Sequence, residues 1–439
     1  MSTRRALLPL AAALALVAGS CGGSQEPIQI GLLADCEGFV ASFFDVTLAG
    51  AELPLVRRGA APAGQKPTDG VESAEIGGHP IELSFGCATE TTKGTLEARR
   101  LVELEQVDLL IGPNIGPTGA VLAVYAKRHP EVTFVIPSGE MLAHLGPGEN
   151  VFRSSPTFAQ VVAGLGAYAY DELGWRRATT IGGADSFTWG FQAGFVAEFC
   201  SLGGQIVDRV WLDTFPEEVP ALLAEIPTGG VDGFFLAVDS YSAGAFLEQH
   251  AERGSNLGRT VIATGSALAL EPTLAARLGD DLVGIVTAGD LPPASPELGA
   301  YAKEYARAFP EVAETAGATL HTFDLPFHNA MEAVLRALEA VDGDLSDGQR
   351  RFRAALAQTE LDAPNGHLKL DRNRSAVTPT YLLQVAGNDR GTLSYRPIRT
   401  IEDVDASFGG RFGPGDPPPD RTQPPCEHGN PPPWASGGG

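Results

Sequence analysis

Basic side chains are scarce in this chain of 439 residues: 31 Lys and Arg stand against 54 Asp and Glu, for a net charge of -23. A surface so short of positive charge is unsuited to neutralising nucleic acid phosphates or an anionic membrane face, which removes nucleic acid as a partner. Charged residues of both signs make up only 19% against 44% hydrophobic, enough apolar material for two or three domains of ~150 residues. No Cys-x-x-Cys or paired-His spacing occurs and the eight His are scattered, so no metal site is expected. Nucleophile elbow, Gly-rich dinucleotide turn, Lys-bearing phosphate loop and His-Glu-x-x-His helix are all missing, so the chain is read as a non-enzyme without cofactor or catalytic residue. Carboxylate pairs of the glycosidase kind leave no spacing signature, which keeps a hydrolase as a distant alternative.

What is present begins with an export signal. Residues 1–20 carry Arg4 and Arg5, an apolar run from Ala6 to Val17, and no acid; the run is shorter than the ~20 residues that span a bilayer. Ala-Gly-Ser before Cys21 resembles a bacterial lipobox, so Cys21 is the expected lipidation site and residues 21–26 a short tether. The alternative is an ordinary cleavage site near Ala18–Gly22 with Cys21 incidental. At the other end, 27 residues from Gly413 to Gly439 include nine Pro and six Gly, a composition expected to give an extended, mostly disordered tail.

Setting Cys21 aside leaves Cys36, Cys87, Cys200 and Cys426, an even count suited to an oxidising compartment and open to three pairings. Cys36 and Cys87 each follow an apolar strand-like run, which favours 36 with 87 and 200 with 426. The second bridge would pin the tail to the body.

Between the ends, short apolar runs alternate with helical stretches, the rhythm of an α/β chain with parallel sheets. Strands are expected at Ile28–Ala34, Ile81–Phe85, Val107–Ile111 and Val132–Ile136, then at Ala178–Gly182, Gln205–Trp211, Gly233–Val238, Thr260–Ala263 and Leu282–Ala288. Thr91–Gln106 reads as a helix with Leu96, Leu101 and Leu104 on its apolar face. Further helices are expected at Trp189–Leu202, Tyr241–Arg253, Ala318–Val341 and Ser346–Gln358, and two last strands at Gly366–Leu370 and Thr380–Val385. The Gly- and Pro-rich region Ala49–Gly78 reads as a surface loop after a helix starting at Phe43.

Open parallel sheets bind ligands beyond the carboxyl ends of their strands. The residues just past each run are therefore the candidates: Asp35, Glu37, Phe39, Asn114, Gly116, Thr118, Ser138, Gly139 and Glu140, then Asp185, Trp189, Asp239, Tyr241, Ser266 and Asp290. Any one of these acids is more often a helix cap than a ligand group. Together, Asp35, Glu37, Glu140, Asp185, Asp239 and Asp290 favour a solute with a cationic or hydrogen-bond-donating group. Trp189 and Tyr241 could wall the site or belong to the core.

IQIGLLADCEG, IELSFGCATETTKGTLEARRLVE, VDLLIGPNIGPTGAVLAVYAKRHPEVTFVIPSGE and TLHTFDLPFHNAMEAVLRAL together resemble the type I periplasmic-binding-protein family, in particular the leucine-binding-protein domain of receptors for branched-chain amino acid and amide ABC importers. That resemblance implies two Rossmann-like lobes joined by a three-segment hinge, at 27–155 with 290–365 and at 156–289 with 366–401, followed by a tail from 402 to 439. It further implies a monomer tethered outside the cell membrane by lipid alone, which clamps a small solute and hands it to permease subunits. A sensor or surface receptor on the same fold is the alternative. By the same resemblance, Asn114–Thr118 and Ser138–Glu140 bind the solute carboxylate, and Trp189 covers the solute. No acid falls at Ser266-Ala267 where the family grips an ammonium, and Glu140 replaces a small or hydroxyl residue, which sets the solute apart from an ordinary branched-chain amino acid.

Overall fold

A computed structural model describes residues 25–88, 91–113, 117–142, 145–146, 148–213, 218–265, 268, 272–293, 295–316, 321–387 and 392–435. The expected signal segment and Cys21 lie outside them. Strand β1 (Ile28–Ala34) is buried almost end to end, as an apolar run must be when helices cover both faces of its sheet. Beside it lie β2 (His79–Cys87), β3 (Leu109–Ile111), β4 (Thr133–Val135) and β5 (Val151–Phe152), all parallel, in the order β2-β1-β3-β4-β5. Helix α1 (Phe44–Arg57) packs on one face, and α2 (Thr91–Arg99) with α3 (Thr118–Ala126) on the other.

A second parallel sheet repeats this winding. Strands β6 (Arg177–Gly183), β7 (Gln205–Leu212), β8 (Gly233–Ala237), β9 (Val261–Thr264) and β10 (Val286–Gly289) follow the order β7-β6-β8-β9-β10. Helices α4 (Ser186–Ser201) and α5 (Ser240–Glu252) belong to this half, while α6 (Pro296–Ala308) and α7 (Asp324–Glu339) return to the first and pack on α1. The strands β11 (Glu360–Ala363), β12 (Gly366–Leu370) and β13 (Ala376–Gly387) extend the second sheet antiparallel from β10, and β14 (Leu393–Val404) pairs with β13. Leu361, Ala363 and Leu368 nevertheless pack in the first core. Ala376, at the start of β13, packs there as well, so the expected boundary at residue 365 falls in the β11–β12 turn between residues of one core. Regular structure also runs past residue 401, to Val404.

Both disulfides join the expected partners, Cys36 with Cys87 and Cys200 with Cys426. The first follows from register, since Ala34 lies opposite Cys87 and places Cys36 just beyond the same edge.

Several expectations are corrected. Residues 49–55 belong to α1 and are buried; they form no surface loop. The helix touches the sheet and α7 through Leu48, Ala51 and Leu55, and α6 through Val46, Ala49 and Leu53, so burial all round erases the one-sided pattern that marks a surface helix. Gly50 permits the tightest approach, because a Cβ there would stand 2.4 Å from the Asp324 carbonyl oxygen. The stretch read as one helix from Thr91 to Gln106 turns into a π-helix at Arg100–Leu104, which leaves Leu96 and Leu104 exposed while Leu101 stays in the core. The helix expected at Ala318–Val341 spans Asp324–Glu339, and that at Ser346–Gln358 spans Arg350–Leu356. The tail from Gly413 to Ala435 has no regular element except a 3-10 turn at Pro433–Ala435, yet it is folded onto the second half rather than free. Gly429 N donates to Ser201 O at 2.9 Å, Trp434 packs edge-on to Phe408, and its Nε1 donates to Glu198 Oε1 at 3.1 Å. A covalent link and one large aromatic supply what the tail's composition lacks.

Candidate functional site

Each parallel sheet reverses its strand order between its first and third strands, and such switch points open a crevice at the carboxyl ends of the strands. In the first half the switch lies between β1 and β3, with Asp35 following one and Gly112-Pro113 the other. In the second it lies between β6 and β8, followed by Asp185 and Asp239. The segment after β4 reaches the start of α4 in the second half. Residues Ile136–Leu142 are buried throughout without forming a helix or strand, and they carry Ser138, Gly139 and Glu140.

Glu140 is one point of contact between the halves. Its Oε1 accepts a hydrogen bond from Ser186 Oγ, in the first turn of α4, at 2.9 Å. Burial first, and the nearby charge of Asp185 after it, raise the Glu140 pKa, and the Ser186 hydrogen bond opposes them. Ser138 is buried, and its Oγ accepts from Glu140 N at 3.3 Å, which shapes the turn. Gly139 O accepts from Phe158 N at 2.7 Å, and the Phe158 ring lies where a side chain at 139 would go: a Cβ would be 2.4 Å from it. Phe158 in turn meets Phe187 and Phe191 of α4, with ring centroids 4.5 and 5.2 Å away. An aromatic cluster therefore lies beside the polar Glu140–Ser186 contact.

The remaining candidates separate. Asp185 Oδ1 caps α4 by accepting from Thr188 N at 2.9 Å, and Asp239 caps α5 by accepting from Ser242 N and Ser242 Oγ at 2.9 and 2.7 Å. These two acids do the work of helix caps. Trp189 lies one helical turn beyond Ser186, on the same face; it is partly buried, and its Nε1 is enclosed without a hydrogen-bond partner among the described residues. Tyr241 is 55% exposed on the first turn of α5. Thr118 is buried at the start of α3 and faces Gly94 of α2, where a Cβ would stand 2.8 Å from its methyl. Asp35 is buried directly after β1, whereas Glu37 is exposed and pairs with Lys93. Asp290 is partly buried after β10, and burial raises its pKa. Phe39 belongs to the 3-10 turn Gly38–Phe43. Asn114, Gly116 and Ser266 lie outside the described residues.

Strand-end position marks the whole turn Asp185–Trp189, Ser186 and Phe187 included, whereas sequence reasoning passed over Phe158. Phe158 follows no strand end, since it sits on the crossing between the halves, and nothing in its local pattern marks it. Cys36, Glu37 and Cys87 form the one cluster with metal-ligand spacing among the described residues, but the two sulfurs are bonded to each other. No described helix is long and apolar enough to cross a membrane.

The profile of a family described as periplasmic binding protein matches residues 27–391. Among solved structures, an ABC transporter substrate-binding protein from Sphaerobacter thermophilus is 22% identical with a TM-score of 0.68, covering 87% of this chain and 99% of its own. A solute-binding protein of an ABC transporter from Rhodopseudomonas palustris, in complex with 3,4-dihydroxybenzoic acid, is 20% identical with a TM-score of 0.66, covering 88% and 99%. A leucine-binding protein from Thermotoga maritima is 18% identical with a TM-score of 0.64, covering 85% and 99%. At these identities the likeness concerns the fold. No curated protein sequence matches the chain.

Proposed function

This chain belongs to the periplasmic binding protein family, and we propose that it serves as the extracytoplasmic substrate-binding lipoprotein of an ABC importer, clamping a small polar solute between its halves and delivering it to permease subunits. Lipid on Cys21 would hold the monomer at the membrane. The observation that carries the reading is the Glu140–Ser186 hydrogen bond, which joins the carboxyl ends of two like-wound sheets across one crevice. A solute inserted there would exchange that contact for its own.

The side chains around the contact suggest the solute's chemistry. Glu140, with Asp35 and Asp290 at other strand ends, supplies acceptors, and Trp189 Nε1, without a partner among the described residues, supplies a donor. An amino acid, an amide or a related amine matches that set. A second reading, a solute with an aromatic ring, draws on the Phe158, Phe187 and Phe191 cluster, and one neighbour of the same fold carries a dihydroxybenzoic acid.

The test is a ligand screen on protein unfolded and refolded to strip bound solute. Amino acids, amides, amines and benzoic acids are compared by the rise in melting temperature, which follows mass action. The best hit should lose most of its shift in Trp189→Ala and in Ser138→Ala. Equal shifts in wild type and both variants would mean the solute binds elsewhere. Deleting the protein should abolish uptake of that solute; unchanged uptake would favour a sensor.

A further inference from the structure

Where the halves join, Arg153 follows β5, residues 371–375 connect β12 to β13, and a turn follows β14. Arg153 N donates to Arg374 O at 2.8 Å, and Arg153 bridges Ser375 in parallel, which ties two of these segments together. Beside them is a cavity of about 590 Å³, within the range that holds small organic ligands. None of the strand-end candidates of the crevice lines it.

Arg153 lines this cavity and is 7% exposed. Its Nε donates to Ser375 Oγ at 3.0 Å, but Nη1 is enclosed without a partner among the described residues. Burial draws the Arg153 pKa down to about 10, so the group is still cationic at neutral pH. Two acids also line the cavity: the charge of Asp371 acts on Arg153 against the effect of burial, and both acids accept hydrogen bonds from their own turns. Asp371 Oδ1 accepts from Asn373 N and Ser375 N at 2.8 and 2.9 Å, while Asp405 accepts from Ser407 N and Gly409 N at 2.8 and 3.2 Å. A buried guanidinium donor left unpaired is costly, and an incoming anion would relieve it. Leu142, Val151 and Phe412 add apolar wall.

We propose that this hinge cavity is a second binding site, separate from the crevice, for a small organic carboxylate whose charge pairs with Arg153 and whose apolar body lies against Leu142, Val151 and Phe412. Val151 packs with the first half and Phe412 with the second, so such a ligand touches both.

The probe is 4-bromobenzoate, with uncharged 4-bromobenzamide as control. Crystals soaked with the acid should show bromine anomalous density in the hinge cavity with the carboxylate on Arg153, and the amide should leave the cavity empty. By titration calorimetry, Arg153→Met should raise the Kd of the cavity-bound acid at least tenfold. Leu145→Trp, which puts an indole into the same space, should do likewise and serves if the first variant does not fold. Density confined to the crevice, no density, equal occupancy by the amide, or an unchanged Kd would each overturn the proposal.

Discussion

Glu52 should make the protein less stable as pH rises, and replacing it with Gln should remove the effect. The side chain is fully buried in α1, and neither carboxylate oxygen has a hydrogen-bond partner among the described residues. Burial chiefly, and the charge of Asp69 in addition, push its pKa from 4.5 to about 9. The folded protein therefore keeps a proton that the unfolded chain releases above about pH 4.5. Folding takes up a proton between the two values, so stability is full below the lower one and falls as pH climbs toward the higher. Each pH unit in that window costs ~1.4 kcal/mol, or about 3 kcal/mol between pH 5 and pH 7. Glu52→Gln has nearly the same shape and cannot ionise. It should match the wild type near pH 4.5 and exceed it by about 3 kcal/mol at pH 7. Urea unfolding followed by circular dichroism at pH 5, 6 and 7 reads the difference. Parallel stability curves, with the same gap at each pH, would refute the reasoning and place Glu52 in contact with water or a partner.

Glu140 carries a similar dependence for the relation between the halves. Its pKa is raised where it contacts Ser186, so that arrangement should be favoured at low pH and lost as pH rises through the shifted value; scattering profiles of solute-free protein at pH 5 and pH 8 should differ, and Glu140→Gln should make them alike. Cys426→Ser opens a bridge that spans 226 residues in sequence, and chain entropy sets the loss of stability at up to about 5 kcal/mol; urea unfolding with and without reductant should show the gap closing when the wild type is reduced. Gly139→Ala places a methyl 2.4 Å from the Phe158 ring, and overpacking of this kind costs about 1–3 kcal/mol; a lowered melting temperature together with weakened solute response is expected, and unchanged values would show that Phe158 moves aside freely.

The parallel strands were legible because burial on both faces turns each into an unbroken apolar run, and the Cys36–Cys87 bridge followed from two such runs ending side by side. The like winding of the two sheets was legible only through the family resemblance, which implied two Rossmann-like lobes, because strand order is a property that unrelated residues can share. The start of helix α1 was legible at Phe43, but its extent past Ala49 was hidden by its own burial, with Glu52 and Pro54 interrupting a pattern that has no polar face. Strand β14 was hidden for the opposite reason: it lies largely exposed along β13, and its Arg and Glu residues leave no apolar run to mark it. At the site, strand-end position picked out Ser138, Gly139, Glu140 and Trp189, each within three residues of the Glu140–Ser186 contact, but it could not tell a capping acid from one without that role. Asp185 and Asp239 cap helices, which only their distances to Thr188 N and Ser242 N reveal. Phe158 needed the tertiary structure, since its partners come from the segment before it and the helix after it.

Titration calorimetry of the refolded protein with the best hit of the ligand screen tests the clamp most directly. One molecule per chain should bind to saturation, the heat should return to baseline after each injection, and Glu140→Gln and Trp189→Ala should each weaken the affinity. Absence of saturable binding to any solute class, or heat that continues to flow as the ligand is consumed, would contradict a receptor that holds its solute between two halves and leaves it unchanged.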